Sequence, residues 1–280
     1  MKMNKFLPLL LAACLLFTGC GAFEDNSELK QQLKQEGMAL QAAGDYSGAI
    51  AKYGEALKLT KMKVGPEEID LSYYKASAQY HSGDLEGAIE TYSALIALKG
   101  DVNSYLARGM LYVEAKEAEK AEADLNKALK ETNDPLIKGI IYNVVDDTEK
   151  AKACFEEAKA AGNVDAIFYL AGIYEEAGDA NYAMILLEEY IASGKASAEG
   201  YLTVGRQYFE DGSYAEALNT IQAGIALGNS GVLKSLLQEE IACYEKLGEY
   251  ETAREKAAIY LEQYPEDTVI QKEYEFLKSR

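Results

Sequence analysis

Tryptophan is absent, histidine occurs once, and 46 acidic residues outnumber 28 basic ones. The lone His81 excludes zinc motifs built on two histidines and catalytic arrays that use several. No CxxC pair is present. Gly194-Lys195 lacks both the upstream glycine and the following Ser/Thr of a phosphate loop. The shortage of Lys and Arg argues against a nucleic-acid partner, whose counterions must be displaced by basic side chains. It argues equally against a chain that lies flat on anionic lipid. A net charge of -18 suits a basic partner, or simply solubility. No Pro- or Gln-rich tract occurs, and 49% apolar residues are enough to bury a core. The apolar run Phe6 to Phe17 is 12 residues long, short of the roughly 20 that a spanning helix needs.

That run has another reading. Lys2 and Lys5 precede it, and it closes on Phe17-Thr18-Gly19-Cys20. A positive start followed by a short apolar stretch is the form of a signal peptide. Its end resembles the lipobox of bacterial lipoproteins, with Phe17 where Leu is usual. The resemblance implies a leader over residues 1–19 that is cleaved, and Cys20 as the lipidated residue. Residues 20–29 then form a short tether, of which Gly21 to Ser27 reaches roughly 25 Å when extended. The expected location is the bacterial cell envelope, on the extracytoplasmic side, with the membrane contacted through lipid alone. The alternative is an ordinary secretory signal with a chance cysteine. After cleavage, 26 basic and 46 acidic residues remain.

What the chain has in quantity is repetition. AGDYSGAIAKYGEAL from Ala43 returns as SGDLEGAIETYSALI from Ser82 and AGDANYAMILLEEYI from Ala177. It returns again as DGSYAEALNTIQAGI from Asp211 and LGEYETAREKAAIYL from Leu247. A period near 34 residues predicts stacked helix pairs, here at about 30–61, 69–101, 102–133, 134–162, 164–194, 198–229 and 234–265. The first helix of each carries a small residue (Gly37, Ala76, Gly109, Gly139, Ala171, Gly205), with Ile241 in the last pair. The second carries Ala49, Ala88, Ala121, Ala151, Ala183, Ala217 or Ala253. Four residues on stand Tyr53, Tyr92, Leu125, Phe155, Leu187, Ile221 and Ala257. Small side chains let helix axes approach, and bulky ones there overpack.

Gly44, Gly83, Gly178, Gly212 and Gly248 mark the turns, because glycine tolerates the left-handed conformation of a helix C-terminus. Asp45, Asp84, Asp179 and Ser213 are positioned to cap the next helix, with Ser213 and Glu216 expected to form a capping box. Lys116 replaces the turn glycine of the third pair, and the fourth is shortened around Val145-Asp146-Asp147. Altered curvature is expected there. A last helix over residues 266–280 is expected to cap the stack through Val269, Tyr274 and Leu277. Cys154 and Cys243 lie about three repeats apart, too far for a disulfide, and read as small buried thiols.

This pattern resembles the tetratricopeptide repeat family over residues 30–265, about 84% of the chain. The resemblance implies an all-α, right-handed superhelical solenoid of about seven helix pairs with a C-terminal capping helix. It implies a concave groove lined by the first helices. Mapped here, the groove-binding candidates are Tyr73, Tyr80, His81, Leu106, Met110, Val113, Phe168, Arg206 and Phe209. Their mixture of aromatic and aliphatic side chains suits a peptide anchor. Family members that clamp a C-terminal carboxylate use Lys and Asn; Lys34 matches the first, but Met38 stands where Asn is needed.

Chemistry is not expected. Glu156-Glu157, Glu175-Glu176 and Glu188-Glu189 are sequence neighbours on helices and do not converge on one point. No catalytic residue, metal or cofactor is therefore assigned. The leading expectation is a lipid-anchored scaffold or adaptor that binds a protein or peptide in its groove. The alternative is a binding module for a small molecule or cell-wall glycan, stacked on the groove tyrosines.

Overall fold

The computed structural model describes residues 26–60, 64–228 and 231–280. The leader, Cys20 and most of the tether lie outside the described residues. Among those described, fifteen α-helices and no strand occur. They run as helical hairpins: α1 Ser27–Ala42 with α2 Tyr46–Lys58, α3 Pro66–His81 with α4 Leu85–Leu98, and α5 Val102–Glu114 with α6 Ala118–Glu131. There follow α7 Pro135–Val144 with α8 Thr148–Ala160, α9 Asp165–Glu176 with α10 Ala180–Ala192, and α11 Ala198–Glu210 with α12 Tyr214–Ala226. The seventh pair is α13 Leu233–Lys246 with α14 Tyr250–Gln263, and α15 Thr268–Leu277 closes the series. The result is an all-α helical-repeat solenoid. No helix among the described residues is long and apolar enough to cross a membrane.

Each hairpin turns by one device. The turn residue adopts a left-handed φ, between 79° and 85° at Gly44, Gly83, Gly178, Gly212 and Gly248. The next N–H then reaches back into the helix just ended, as from Asp84 to the Gln79 carbonyl at 2.9 Å. Lys116 and Asp146 adopt the same conformation, at φ 61° and 62°, and the same back-bond forms. Asp45, Asp84 and Asp179 cap the following helices by accepting from Gly48, Gly87 and Tyr182.

The expected Ser213–Glu216 box does not form. The Ser213 side chain makes no cap bond. Its N–H bonds the Tyr208 carbonyl at 2.8 Å, so the turn alone starts α12. The Glu arm of such a box occurs instead at Glu68, which accepts from the Gly65 N–H at 2.7 Å. With Pro66 at the first position, this starts α3 three residues earlier than the repeat spacing suggested.

Inside each hairpin, small faces large. A Cβ on Gly37 would stand 2.5 Å from the Tyr53 ring, and one on Gly139 2.5 Å from Phe155. Gly109 and Gly205 bear the same relation to Leu125 and Ile221. These large partners are at most 2% exposed. At the far end α15 buries Ile270 and Leu277 and half-buries Tyr274. Val269 is 69% exposed, which corrects its expected capping role: the i, i+4, i+7 face of α15 starts at Ile270.

The solenoid also curls onto itself. The Tyr264 hydroxyl lies 3.5 Å from the Ala42 carbonyl, 222 residues away in sequence, and both residues are buried. The residues matching Ala42 in pairs two, three, five, six and seven (His81, Glu114, Glu176, Glu210, Lys246) are exposed. The first pair thus loses surface that most other pairs keep.

Candidate functional site: the first-helix face

First helices bond to their neighbours toward the two ends of the array, from α1 through α3 to α5 and from α11 to α13. Lys34 pairs with Asp70, and Gln41 donates to Ser77 at 3.2 Å. The Tyr73 hydroxyl donates to Asp101 at 2.8 Å and lies 2.8 Å from the Ser104 hydroxyl. Further along, Arg206 pairs with Glu239 at 2.6 Å, and Gln238 donates to Asp267 at 2.9 Å. Each bond links residues about one repeat apart. Glu199 at the start of α11 is close enough to act on the charge of His81 at the end of α3. Two first helices four pairs apart approach this way only if their layer lies inside the curve.

The sequence candidates divide on this face. Val113 is 45% exposed, and His81 and Arg206 are also exposed. Met110, Phe168 and Phe209 are half-buried. Phe168 packs on Tyr190 at 5.4 Å between ring centroids, and Phe209 meets Tyr214 edge-on at 5.2 Å. Leu106 is 3% exposed and belongs to the central core, so the fold spends it on packing; as a ligand contact it is withdrawn.

Tyr73 is half-buried with its hydroxyl committed as above and its ring edge-on to Tyr92. Burial first, and the neighbouring Glu114 carboxylate second, push the Tyr80 pKa up to about 12. His81 stacks on Tyr46 at 5.5 Å and meets Tyr80 edge-on. Although His81 keeps accessible surface, these rings cover it and lower its pKa, while Glu199 acts in the opposite sense.

Of two notable inner residues, Asn103 escaped the groove mapping, which does include Glu245. The Asn103 Oδ1 and Glu245 Oε1 atoms are the buried side-chain polar atoms without a hydrogen-bond partner among the described residues. Desolvation and the neighbouring Glu273 push the Glu245 pKa up to about 7. Both occupy register positions of the inner face, a signal the repeat alignment contains.

On the second-helix side, a shallow pocket of about 420 Å³ lies between α4 and the α5–α6 turn, lined in part by Leu85, Ile89 and Tyr112. Cys154 is half-buried and Cys243 buried, both as free thiols. Among the described residues no three acidic, His or Cys groups gather as metal ligands would.

Residues 34–103 and 242–267 match family models of the tetratricopeptide repeat. Those two segments carry tetratricopeptide repeats, within an all-α helical-repeat solenoid. It is 30% identical over 133 residues to DnaJ homolog subfamily C member 3 of Gallus gallus, covering 46% of this chain and 24% of that one. It is 34% identical over 98 residues to the tetratricopeptide repeat protein 36 homolog of Drosophila melanogaster, covering 32% and 53%. The chain therefore spans about a quarter and about half the length of these curated relatives. The crystal structure of yeast Tom70 superposes with a TM-score of 0.61 at 16% identity, over 88% of this chain and 56% of that one. That likeness is one of fold. Tetratricopeptide-repeat proteins commonly act as protein-interaction scaffolds and are generally non-catalytic.

Proposed function

We propose that this chain is a non-catalytic scaffold that holds a protein or peptide segment against its first-helix face, tethered to a bacterial envelope membrane through lipid on Cys20. The observation that carries the binding half is the inner face itself. It leaves apolar Val113 exposed and Met110 and Phe209 half-buried, with polar His81 and Arg206 exposed, the mixture an interface core and rim require. The tether half rests on the leader Phe6 to Phe17 and the cysteine that closes it. The sugar-binding alternative has weaker support, because the hydroxyl of Tyr73 is already bonded within the chain.

The test uses the full chain in its native envelope, with a cross-linkable residue placed beside Val113. One stoichiometric cross-linked protein, lost in a Val113→Glu/Phe209→Ala variant that still folds, is the expected result. Absence of any cross-linked protein from a folded chain would sink the scaffold reading. Incorporation of labelled palmitate, abolished by Cys20→Ser, is the expected result for the tether.

A further inference from the structure

Two positions of the repeat each have an exceptional occupant in one pair. Five residues after the small-residue position of the first helix stand His81, Glu114, Val144, Glu176, Glu210 and Lys246; in the first pair the place falls to Ala42. Eleven residues after the small residue of the second helix stand Thr60, Lys99, Thr132, Gly162, Gly194 and Gly228; in the seventh pair the place falls to Tyr264. The first position gives up its bulk in the same chain that gives the second an aromatic ring. The fold brings these two exceptions together.

The Tyr264 hydroxyl donates to the Ala42 carbonyl at 3.5 Å, with Ala42 7% and Tyr264 8% exposed. The residues matching Ala42 elsewhere are exposed or half-buried, so the cover on Ala42 comes from outside its own hairpin. Tyr264 is held from behind. Its ring lies 4.7 Å from that of Tyr260, and it belongs to the C-terminal core with Ile270. The approach extends inward along the array, since Glu199 of the sixth pair acts on the charge of His81 in the second. A repeat array is held together by nearest neighbours. A contact between its first and seventh pairs lies outside that plan, and it closes the curve across the first-helix face.

We infer that pairs one and seven form a latch that closes the first-helix face, and that a protein or peptide segment enters by parting Ala42 from Tyr264. The inference rests on the scaffold reading and adds the regulation of its site. The latch is small, one hydroxyl on one carbonyl and the apolar cover around them, so it can open without unfolding a hairpin. Small rotations shared among the junctions between pairs are enough to separate the ends. A partner shifts the balance only by the difference in its affinity for the open and closed forms. Until it does so, its apparent affinity is reduced in proportion to the open fraction.

The test places donor and acceptor dyes on Ser47 and Glu266 of the full chain, exposed residues near the two sides of the contact, and measures energy transfer. Wild type is expected to give one high-transfer population. Ala42→Glu installs the residue that pairs three, five and six carry at this position, so the first hairpin keeps its own packing. It is expected to lower the transfer with helix content unchanged. Ala42→Lys, which copies the seventh pair, is the second variant and is expected to do the same. In the native envelope, with the cross-linkable residue beside Val113, Ala42→Glu is expected to speed capture of the partner at least about threefold as the open fraction rises. Low transfer in wild type, or unchanged transfer in both folded variants, would overturn the latch. Lower transfer with unchanged capture would overturn its role as a gate and leave the scaffold reading intact. No capture by any folded form would remove the scaffold reading and the gate together, and the transfer values would still decide the latch.

Discussion

In pairs one, three, four and six, the first helix gives up its side chain and the second fills the space: Gly37 under Tyr53, Gly109 under Leu125, Gly139 under Phe155, Gly205 under Ile221. In the seventh pair the roles are exchanged, with Ile241 on the first helix and Ala257 on the second, and both buried in the C-terminal core. The helices need a filled contact, and which of them supplies the volume is free. That freedom is why a repeat recognised by identity looks weak in each copy and strong in register. It follows from close packing, which fixes total volume at a contact more tightly than the identity of either side chain.

The largest test of this exchange is Ile241→Gly. It empties a buried contact and puts glycine inside a helix, for an expected loss of about 3–5 kcal/mol in local stability. Adding Ala257→Tyr should return more than half of it by rebuilding the arrangement of the first pair. Amide hydrogen exchange across α13 and α14 is the appropriate readout, because a repeat array does not unfold as one unit. If the double variant is no better than the single, volume exchange is not what the seventh pair is doing.

The seventh pair also carries the raised carboxyl, and a smaller effect follows from it. The folded-state pKa of Glu245 lies at about 7, above its ordinary value of 4.5. The folded state therefore binds the proton more tightly than the unfolded state. Stability at α13–α15 is fullest below about pH 4.5 and declines as pH rises through about 7. Because the group is partly solvated, the decline should be on the order of 1 kcal/mol after screening. Glu245→Gln should flatten the local exchange profile between pH 5 and about 8, where wild type slopes downward. An unchanged slope would mean that the chain's overall negative charge, and not this pair, sets the dependence.

The smallest effect separates the turns. Lys116 and Asp146 hold the left-handed conformation that five pairs give to glycine. Relief of a side chain from that conformation outweighs the entropy glycine adds to the unfolded chain. Lys116→Gly is thus expected to stabilise its hairpin by about 0.5–1 kcal/mol, and Asp146→Gly by somewhat less because Asp tolerates the region better. A destabilised hairpin in either variant would show that the side chain earns its place through some other contact.

The turns, the small residues and the seven-pair register were legible in the sequence because each is a short-range requirement: a φ sign, a capping oxygen, a helical spacing. The groove was legible only in part. Leu106 has the right spacing for the inner face, yet the neighbouring pair covers it. Tyr73 carries a ring and hydroxyl suited to a ligand, yet Asp101 and Ser104 one repeat on claim the hydroxyl. Nothing local distinguishes Val269 from Ile270 until α15 meets α14 and one of them is buried.

The sequence by itself therefore determined that this is a helical-repeat solenoid and where each hairpin turns. Those depend on residues within one repeat. Which acids stay unpaired, which oxygens are buried without a donor, and the contact of Tyr264 with Ala42 were decided by tertiary structure. They depend on small inter-pair rotations summed over the whole array, and no single repeat encodes that sum.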